Sequence, residues 1–438
     1  GAGPAGLSAA YYLATRGYKP TVFEKSARPG GMMTYGIPSF KLEKTIIDAE
    51  IQVLRELGVE IRCGVEVGRD VTIPQLREQG FLAFYIAIGC QGGRLPGVPG
   101  EHAAGTDIAV HFLHEALADE NQHMDGRVVV IGGGNVAVDC ARTAVRFGAE
   151  AVSMVCLESR DTMPASKDEI AEAEEEHIEI HTGWGPKELL QDESGHVTAV
   201  VFKKCLRTID PETGKFAPVN DEAETITLPA DHVVFAIGQA IEWGGLLKDT
   251  KVTFHRGNYP VADPLTYQTA EADIFVGGDV YHGPKFVIDA IEEGKCAAES
   301  LHRYVHKGAS LTIGRNRRDF VMLDKENFSV NCYDHATRQT EAVDPAVEAH
   351  SFRDARKTLT SEQVQTETAR CLGCGASWVD PNKCIGCGVC TTKCVFDAIY
   401  LKRDHPECST MMKAEDKLKG IASMACKRLG QTLRGRKG

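Results

Sequence analysis

The sequence lacks any apolar run long enough to cross a bilayer, and it lacks an excess of positive charge. No hydrophobic stretch reaches the roughly 18 residues of a spanning helix, and the net charge of the 438 residues is −12. The acidic balance argues against nucleic acid as the main partner. With 25% charged and 43% hydrophobic residues, the composition is that of a globular chain long enough for two or three domains.

Recognisable acid–base or nucleophilic groupings are lacking as well. The 15 histidines show neither pairing with carboxylates nor metal-ligand spacing, so we nominate no catalytic side chain. The acidic stretch KDEIAEAEEEHIEI, residues 167–180, is typical of a solvated helix face. A reaction in this chain is therefore not expected to depend on a side-chain acid or base.

A glycine-rich loop, GAGPAG, opens the chain and runs into a predicted helix. In such a loop the first glycine makes a tight turn, the second lets a pyrophosphate approach the backbone, and the third lets helix and strand pack closely. Gly1, Gly3 and Gly6 have this spacing. The short strand PTVFE follows, and its Glu24, 18 residues after Gly6, is placed to bind ribose hydroxyls. The pattern predicts a dinucleotide site.

Two expectations accompany this loop. Leu7, Tyr11 and Ala14 share one helical face, and Gly17 ends the helix. A loop of this kind needs a strand leading into it, yet no residue precedes Gly1 and there is no initiator methionine. We therefore expect a missing N-terminal part or a further subunit that supplies at least this strand.

A second unit of the same kind begins at Arg127. The stretch RVVVIGGGNVAVDCARTAVRFGA predicts a strand over 128–131, a loop with Gly132, Gly134 and Ala137, and a helix over 135–147 capped by Gly148. Alanine is an accepted third residue of such a loop. The two units form a coarse internal repeat with one dinucleotide site each. The alternative, that both are ordinary tight turns, does not account for the duplication.

Three further apolar stretches end in turns that contain glycine. They lie at 81–90, 232–240 and 272–280, and a long predicted helix follows the last one. Such strand ends predict further cofactor contacts, at Gly89, Gly238 and Gly278. The segment 310–357 is polar and irregular, and a helix with a capping box of Thr360 and Gln363 follows it.

Eight of the 15 cysteines lie between Cys371 and Cys426. Their central run has the C-x₂-C-x₂-C-x₃-C spacing of bacterial [4Fe–4S] proteins, with Cys384, Cys387, Cys390 and Cys394, and a CxxC pair, Cys371 and Cys374, precedes it. Gly386 and Gly388 permit the tight turns between ligands. A zinc site is the alternative, but it would leave two cysteines of the run without a role. Clustered CxxC pairs also indicate a reducing compartment, the cytoplasm.

The run predicts one cluster, and the eight cysteines suffice for two. We assign Cys384, Cys387 and Cys390 to one cluster and Cys371, Cys374 and Cys394 to the other. The fourth ligands would then be Cys408 and Cys426, although Cys426 lies in a helical run and could be a core residue. Two departures weaken the two-cluster prediction: no third cysteine follows Cys374 closely, and Val395 replaces the usual proline.

Three motifs resemble the glutamate synthase small-subunit family, which includes the large subunit of NADH-dependent ferredoxin:NADP oxidoreductase. Residues 1–44 resemble its flavin domain, 132–149 its pyridine-nucleotide loop and 273–298 its second flavin-contacting segment. The motifs occur in the family's order, and the resemblance covers roughly residues 1–310. It implies FAD at the first loop and NAD(P)H at the second.

The resemblance also implies site residues. Those for FAD are Gly1, Gly3, Pro4, Ala5, Gly6, Glu24, Lys25, Gly31, Met32, Lys41, Val67, Asp279 and Val287. Asp279 would bond the ribityl–pyrophosphate region, and the helix after Pro284 would point its N-terminus at the isoalloxazine, where its dipole favours the anionic reduced ring. Those for the nicotinamide nucleotide are Gly132, Gly133, Gly134, Asn135, Val136, Glu158 and Arg160.

The choice between NADH and NADPH depends on the residues after the second strand of the second unit. In family members that use NADPH, the corresponding stretch resembles YRRSREEMPA, and its paired arginines bind the 2′-phosphate. Here the stretch is CLESRDTMPA, with Leu157 and Glu158 in place of the arginines. A carboxylate accepts bonds from ribose hydroxyls and repels a 2′-phosphate, so we predict NADH. Arg160 could retain some NADPH binding, and Glu158 could instead be a solvated strand end.

The nicotinamide region lacks the redox CxxC pair of thioredoxin reductases, which share the two-dinucleotide architecture. Between residues 100 and 230 the cysteines are Cys140, Cys156 and Cys205, and none are paired at that spacing. We expect Cys140 and Cys156 to be small buried hydrophobic residues. Disulfide reduction is therefore not expected.

Together these features predict an α/β chain of two Rossmann-like domains, the second inserted in the first, with a C-terminal ferredoxin-like domain. The expected FAD domain comprises 1–100 and 231–310, the NAD(P)H domain 101–230, a connector 311–365 and the iron–sulfur domain 366–438.

The expected activity is electron transfer between NAD(H), FAD and one or two [4Fe–4S] clusters, with a redox subunit or ferredoxin as partner, in a complex that could be electron-bifurcating. One alternative is a relay subunit of a larger hydrogenase or transhydrogenase. Another is the NADPH-dependent glutamate synthase small subunit. That family's cluster ligands precede the flavin loop, whereas here they lie at the C-terminal end.

Overall fold

The computed structural model describes residues 1–255, 257–306, 308–315, 336–343, 351–371, 379, 384–393, 399–402 and 417–434. Within this part of the chain, one compact unit holds residues up to 315 together with 337–366, and a second holds residue 336 and the residues from 367 onward. No helix in the described ranges is both long enough and apolar enough to span a membrane.

The strands, in chain order, are β1 Thr21–Glu24, β2 Glu60–Cys63, β3 Phe84–Ile86, β4 Gly92–Gly93, β5 Thr106–Ile108, β6 Arg127–Ile131, β7 Ala151–Cys156, β8 Glu179–Thr182, β9 Trp184–Gln191, β10 Val197–Ile209, β11 Phe216–Pro229, β12 His232–Phe235, β13 Gln239–Ala240 and β14 Ile274–Val276.

The α-helices are α1 Pro4–Ala14, α2 Met32–Tyr35, α3 Lys44–Glu56, α4 Ile73–Glu78, α5 Ala109–Ala118, α6 Asn135–Arg146, α7 Lys167–Glu175, α8 Asp279–His282, α9 Val287–Val305, α10 Ser361–Ala369, α11 Val389–Lys393 and α12 Lys417–Arg434.

A five-stranded sheet in the order β5-β12-β6-β7-β8 forms the centre of residues 94–238, the part predicted to bind the nicotinamide nucleotide and called the nucleotide-binding part below. All of its pairings are parallel. Alternate residues of β6 face opposite sides, because side chains alternate along a strand: Val128 and Val130 pack with the helices, and Val129 and Ile131 pack with residues of β9 and β10. The antiparallel sheet β11-β10-β9 therefore covers the face that helices leave open.

The first glycine loop lies among shorter parallel pairs, β1 with β2 and β3 with β14. Helix α1 packs against α9 at very short range, since a Cβ on Gly294 would lie 2.2 Å from the Ala5 carbonyl oxygen. Strands β4 and β13 pair antiparallel, Gly93 with Gln239 and Gly92 with Ala240.

Several local expectations are confirmed. Gly17 and Gly148 adopt the positive φ values, +85° and +87°, that end helices. The capping box of α10 is present, because the Thr360 amide donates to Gln363 Oε1 and the Gln363 amide to Thr360 Oγ1. Helix α6 begins at Asn135 as expected and ends at Arg146, one residue before the expected end.

Other expectations differ from the structure. Tyr11 is exposed, and Ala10 joins Leu7 and Ala14 against the core instead, since positions three and four apart share a helix face. Strand β12 belongs to the five-stranded sheet, so the expected boundary after residue 230 falls inside this sheet.

The segment 311–365, expected to be a connector, also contributes a core residue. The ring centroid of Phe352 lies 5.4 Å from that of Phe147.

Helix α7 is not a freely solvated acidic face. Its Ile170 and Ala173 are buried, and Glu172, together with Glu176 just beyond its end, pairs with Arg142 of α6. Glu172 and Glu176 therefore neutralise a basic side chain of α6.

Candidate functional site

A cavity of about 610 Å³ lies beside the first glycine loop. Most residues expected to contact FAD line it, namely Gly1, Gly3, Pro4, Ala5, Gly6, Glu24, Lys25, Gly31, Met32, Val67, Gly89, Gly278, Asp279 and Val287. Val136 and Asp139, on α6 of the nucleotide-binding part, line the same cavity. The cavity therefore extends from the first loop to the helix that follows the second.

The loop glycines have different surroundings. A Cβ on Gly6 would lie 2.0 Å from the Gly1 carbonyl oxygen, and one on Gly1 would lie 2.5 Å from that of Ala87. A Cβ on Gly3 would meet only the Gly31 Cα, at 3.9 Å. The backbone of Gly3 therefore borders open space at the start of α1, which is where a pyrophosphate would approach.

Glu24 connects the end of β1 to the loop. Its Oε2 accepts a hydrogen bond from the Ala2 amide at 2.7 Å, and its Oε1 accepts one from the Ser26 amide at 2.9 Å. Because each carboxylate oxygen has a further lone pair, this buried group can also accept from ribose hydroxyls. The open space at Gly3 and the acceptor set of Glu24 fit the adenosine diphosphate half of FAD.

The turn before α8 and the start of α9 also line the cavity. The Gly278 amide donates to Glu293 Oε2 at 2.6 Å, and Glu293 Oε1 pairs with His282 Nδ1 at 2.5 Å. Asp279 Oδ1 accepts from the Lys285 amide at 3.3 Å, and burial raises the pKa of Asp279 to about 6. A 19-residue helix begins here with Val287 at the cavity, so its positive dipole end faces the space expected to hold the flavin ring.

The second glycine loop leaves β6 at the edge where the strand order of the five-stranded sheet reverses, the usual place for a nucleotide. A Cβ on Gly132, where φ is +151°, would lie 2.4 Å from the Ala236 carbonyl oxygen. A Cβ on Gly134 would meet nothing within 4 Å. Gly134 thus has the open surroundings of Gly3, and the loop fits a second pyrophosphate.

Glu158 lies beside this loop. A Cβ on Gly133 would be 3.1 Å from Glu158 Oε2 and 2.9 Å from Cys156 Cβ. Arg160 forms an ion pair with Glu174, with 2.6 Å between Arg160 Nη2 and Glu174 Oε2. Asn135 Oδ1 accepts from the Ser166 amide at 2.9 Å and so connects the start of α6 to the start of α7.

Two residues expected to contact a cofactor do not line the cavity. Gly238 does not line the cavity; its carbonyl oxygen accepts from the Arg94 amide at 3.2 Å near the β4–β13 pair. Lys41 does not line it either and pairs with Asp139 and Glu169. The resemblance of residues 1–44 to a flavin domain could not predict these ion pairs, because Asp139 and Glu169 lie in another part of the chain. Burial raises the pKa of Asp139 to about 6 against the opposing charge of Lys41.

Asp139 and Tyr85 are among the cavity residues that were not anticipated. The sequence could have predicted Asp139, because it lies three residues after the expected site residue Val136 and therefore shares its helix face. Tyr85 lines the cavity, and its hydroxyl is buried without a hydrogen-bond partner among the described residues. No residue pattern in the strand 84–86 distinguishes this tyrosine from an ordinary core residue.

The cysteines of the nucleotide-binding part are buried thiols. Every cysteine in the described ranges is free. Burial raises the pKa of Cys156 to about 12 and that of Cys140 well above its ordinary value. Thiols held in the protonated form are poor nucleophiles, which agrees with the prediction that these residues do not reduce disulfides.

The cysteine module is described only in part. Cys371, Cys384, Cys387, Cys390 and Cys426 are exposed, so Cys426 is not a core residue, whereas Cys374, Cys394 and Cys408 lie outside the described residues. Gly386 and Gly388 have positive φ values of +68° and +79°, as turns between cluster ligands require. No three potential ligands converge as a metal site within the described ranges, so the assignment of ligands stays a prediction.

Comparison with known proteins adds independent findings. A family profile described as pyridine nucleotide-disulphide oxidoreductase matches residues 1–294, and a 4Fe-4S binding domain profile matches 377–400. The chain is 36% identical over 383 residues to the beta subunit of the NADP(+)-dependent formate dehydrogenase of Moorella thermoacetica, which covers 85% of this chain and 54% of that protein. The chain thus spans about half the length of that relative.

Two further relatives are covered more fully. The small chain of the NADPH glutamate synthase of Halomonas elongata is 36% identical over 321 residues, 70% of this chain and 67% of that one. The PreT subunit of the NAD-dependent dihydropyrimidine dehydrogenase of Escherichia coli K12 is 34% identical over 313 residues, 71% and 68% of the two chains. The resemblance to the glutamate synthase small-subunit family is confirmed.

Solved structures share the fold. FprA from Mycobacterium tuberculosis matches with a TM-score of 0.59 at 18% identity, covering 70% of this chain and 83% of that one. Thioredoxin reductase from T. acidophilum matches with a TM-score of 0.51 at 21% identity, covering 70% and 96%. These matches confirm the predicted α/β architecture, and the 4Fe-4S profile match confirms the predicted C-terminal iron–sulfur domain.

Proposed function

Because the chain belongs to the pyridine nucleotide-disulphide oxidoreductase family, we propose that it is an electron-transfer flavoprotein that oxidises NADH and passes electrons through FAD and iron–sulfur clusters to a redox partner. The family and the matched 4Fe-4S domain imply FAD, a pyridine nucleotide and a [4Fe–4S] cluster. Which loop holds which nucleotide, the preference for NADH and the partner are parts of the proposal.

One observation carries the proposal. A single cavity is lined both by the first glycine loop and by Val136 and Asp139 of the helix after the second loop. Two cofactors bound at these loops would therefore meet in one space. Proximity and orientation are what transfer between two bound cofactors requires of a protein.

We place FAD at the first loop. Glu24 would accept from ribose hydroxyls, Gly3 leaves room for the pyrophosphate, and the N-terminal end of α9 would stabilise negative charge on the ring. FAD, when bound, supplies the conversion between two-electron and one-electron transfer. The residues themselves bind, orient and enclose it, and no side chain is required to move a proton.

The direct test is an anaerobic titration of the purified full chain with NADH. We expect loss of the flavin absorbance near 450 nm, a typical wavelength for oxidised flavins, followed by reduction of the clusters. Flavin that stays oxidised while the clusters are intact would favour the alternative, a relay subunit whose catalysis lies elsewhere. The beta-subunit relative, of which this chain spans 54%, supports a larger assembly as the working form.

The nucleotide preference rests on Glu158. Its carboxylate adjoins Gly133 at the second loop, while Arg160 is paired with Glu174. The names of relatives differ, since the formate dehydrogenase and glutamate synthase are named for NADP and NADPH and the dihydropyrimidine dehydrogenase for NAD. The charge at this position favours NADH, because a 2′-phosphate would be repelled.

Steady-state kinetics should show a preference for NADH of about tenfold or more in kcat/KM, the size that one charged contact can supply. Replacing Leu157 and Glu158 together by arginine should reverse the preference. Arg160→Ala is the matched control and should retain it. A wild-type preference for NADPH, or equal kcat/KM values, would contradict the assignment.

A further inference from the structure

A cluster of buried charges joins the two dinucleotide-binding parts of the molecule. The Lys41 ammonium, in the segment between α2 and α3, forms ion pairs with Asp139 of α6 and with Glu169 of α7. The side chains of Lys41 and Asp139 are only 16% and 11% exposed. Buried ions are retained only with close partners, so this lysine ties its segment to two helices of the other part.

The preceding residue adds an apolar contact at the same place. Phe40 is 5% exposed, and the guanidinium carbons of Arg142 and Arg146 lie 4.8 and 3.9 Å from its ring centroid. Such stacking is attractive because a cation favours the face of an aromatic ring. Two successive residues, one aromatic and one cationic, thus contact side chains of α6.

The two arginines that contact Phe40 also form ion pairs with other residues. Glu176 accepts from Arg142 and from Arg146, each at 2.8 Å, and the Ser351 carbonyl oxygen accepts from Arg146 Nε at 3.0 Å. The arginines that contact Phe40 are therefore also held by Glu176 and by Ser351. Side chains that are held in place lose less conformational freedom in a contact, which makes the contact more favourable.

The position of Asp139 relates this contact to the cavity. Asp139 lies three residues after Val136, so the two share a face of α6, and both line the cavity. Any rotation of α6 relative to the Phe40–Lys41 segment would therefore move the part of the cavity wall that would adjoin a nicotinamide bound at the second loop. A misplacement of about 1 Å can slow a transfer on the order of 10²-fold.

We propose that Phe40 and Lys41 form a latch that fixes the nucleotide-binding part against the flavin-binding part in the orientation required for flavin reduction. The inference rests on the proposed function, and it makes Lys41 a positioning residue rather than a ligand of FAD. Asp139 is the partner through which Lys41 acts.

The test uses the full chain in anaerobic stopped-flow reduction by NADH, with the variants K41M, D139N, K41M/D139N and K41R. For K41M we expect the limiting rate of flavin reduction to fall by about tenfold or more, with the apparent Kd for NADH within about twofold of wild type. K41R should recover most of the rate, because it restores the charge. The double variant should be no slower than K41M, because K41M already breaks the ion pair that D139N removes.

The control is K203M, which removes an ion pair with Glu222 on the antiparallel sheet and should leave the rate unchanged. Flavin content is measured in every variant. If K41M binds less flavin but reduces what remains at the wild-type rate, Lys41 is an FAD ligand and the latch is overturned. An unchanged limiting rate in K41M would overturn it as well.

Hydrogen exchange gives a readout that does not depend on turnover. In K41M, amides of residues 36–43 and of α7 should exchange faster, because the contact between the two parts is lost, whereas those of β9–β11 should not change. If wild-type flavin is not reduced by NADH, the proposed function fails, and the exchange experiment still tests the latch. Unchanged exchange in residues 36–43 would contradict it.

Discussion

At the scale of single residues, the glycines of the two loops divide into those that pack and those that face open space. Gly1, Gly6 and Gly132 would each place a Cβ within 2.5 Å of a carbonyl oxygen, so a side chain there conflicts with the fold. Gly3 and Gly134 have ordinary negative φ values, −77° and −96°, and no close neighbour. The protein itself leaves room for a side chain at these two positions, so the expected reason for glycine there is the approach of a pyrophosphate.

This division makes Gly3→Ala and Gly134→Ala an informative pair. Gly3→Ala should leave the circular dichroism spectrum unchanged and lower the flavin content about tenfold, because its methyl group enters the pyrophosphate space. Gly134→Ala should keep the flavin but weaken NADH binding to a similar degree. Each variant controls for the other. Equal loss of flavin in both would contradict the assignment of the loops.

At the scale of elements, Asp231 anchors the start of β6. Its Oδ2 accepts from the Arg127 amide at 2.8 Å and from Arg127 Nε at 2.9 Å, and its Oδ1 accepts from Arg127 Nη2 at 3.0 Å. These bonds lower the pKa of Asp231 to about 2. The carboxylate thus connects the end of the antiparallel sheet to the central strand of the parallel one.

Asp231→Asn should therefore lower stability in a pH-dependent way. Because the pKa is lowered on folding, the contribution is present above about pH 4, the ordinary range of an aspartate, and is lost as the pH falls toward 2. We expect a loss of about 1 kcal/mol or less at neutral pH, since the carboxylate is partly exposed and screened.

Urea unfolding followed by circular dichroism checks this prediction. The difference in midpoint between Asp231→Asn and wild type should shrink as the pH is lowered. Glu193→Gln, at an exposed turn, serves as the control. A difference that grows toward low pH would contradict the assigned sign.

The elements also indicate what the sequence could and could not predict. Loops with fixed glycine spacing, and the helix ends at Gly17 and Gly148, were predictable because their geometry depends on adjacent residues. The contacts of α7 and of Lys41 were not, because their partners lie 30 or more positions away. Composition shows that a helix is acidic, whereas only the tertiary structure shows that Arg142 and Arg146 face it.

At the scale of the whole molecule, the proposed function requires an electron acceptor beyond the flavin, and the matched 4Fe-4S domain is the candidate. If the eight cysteines of the module bind two [4Fe–4S] clusters, each chain holds about eight iron ions and eight sulfide ions. We expect this content, and we expect Cys387→Ser to lower it by about half, because it removes a ligand from one cluster.

Iron and acid-labile sulfide analysis of the full chain provides the measurement. Cys205→Ser, in the antiparallel sheet, is the control and should retain the wild-type content. About four iron per wild-type chain would support a single cluster and remove the proposed roles of Cys408 and Cys426.

The pairing of β4 with β13 has a consequence for how such a molecule is assembled from parts. The chain leaves the flavin-binding part through β4 and returns through β13, and the two are hydrogen-bonded neighbours at Gly93 and Gln239. A segment whose two ends lie side by side can be exchanged with little disturbance to its host. An exchange of residues 94–238 would therefore rejoin the chain at adjacent ends, and the incoming segment would have to supply partners for Phe40 and Lys41 on its α6 and α7.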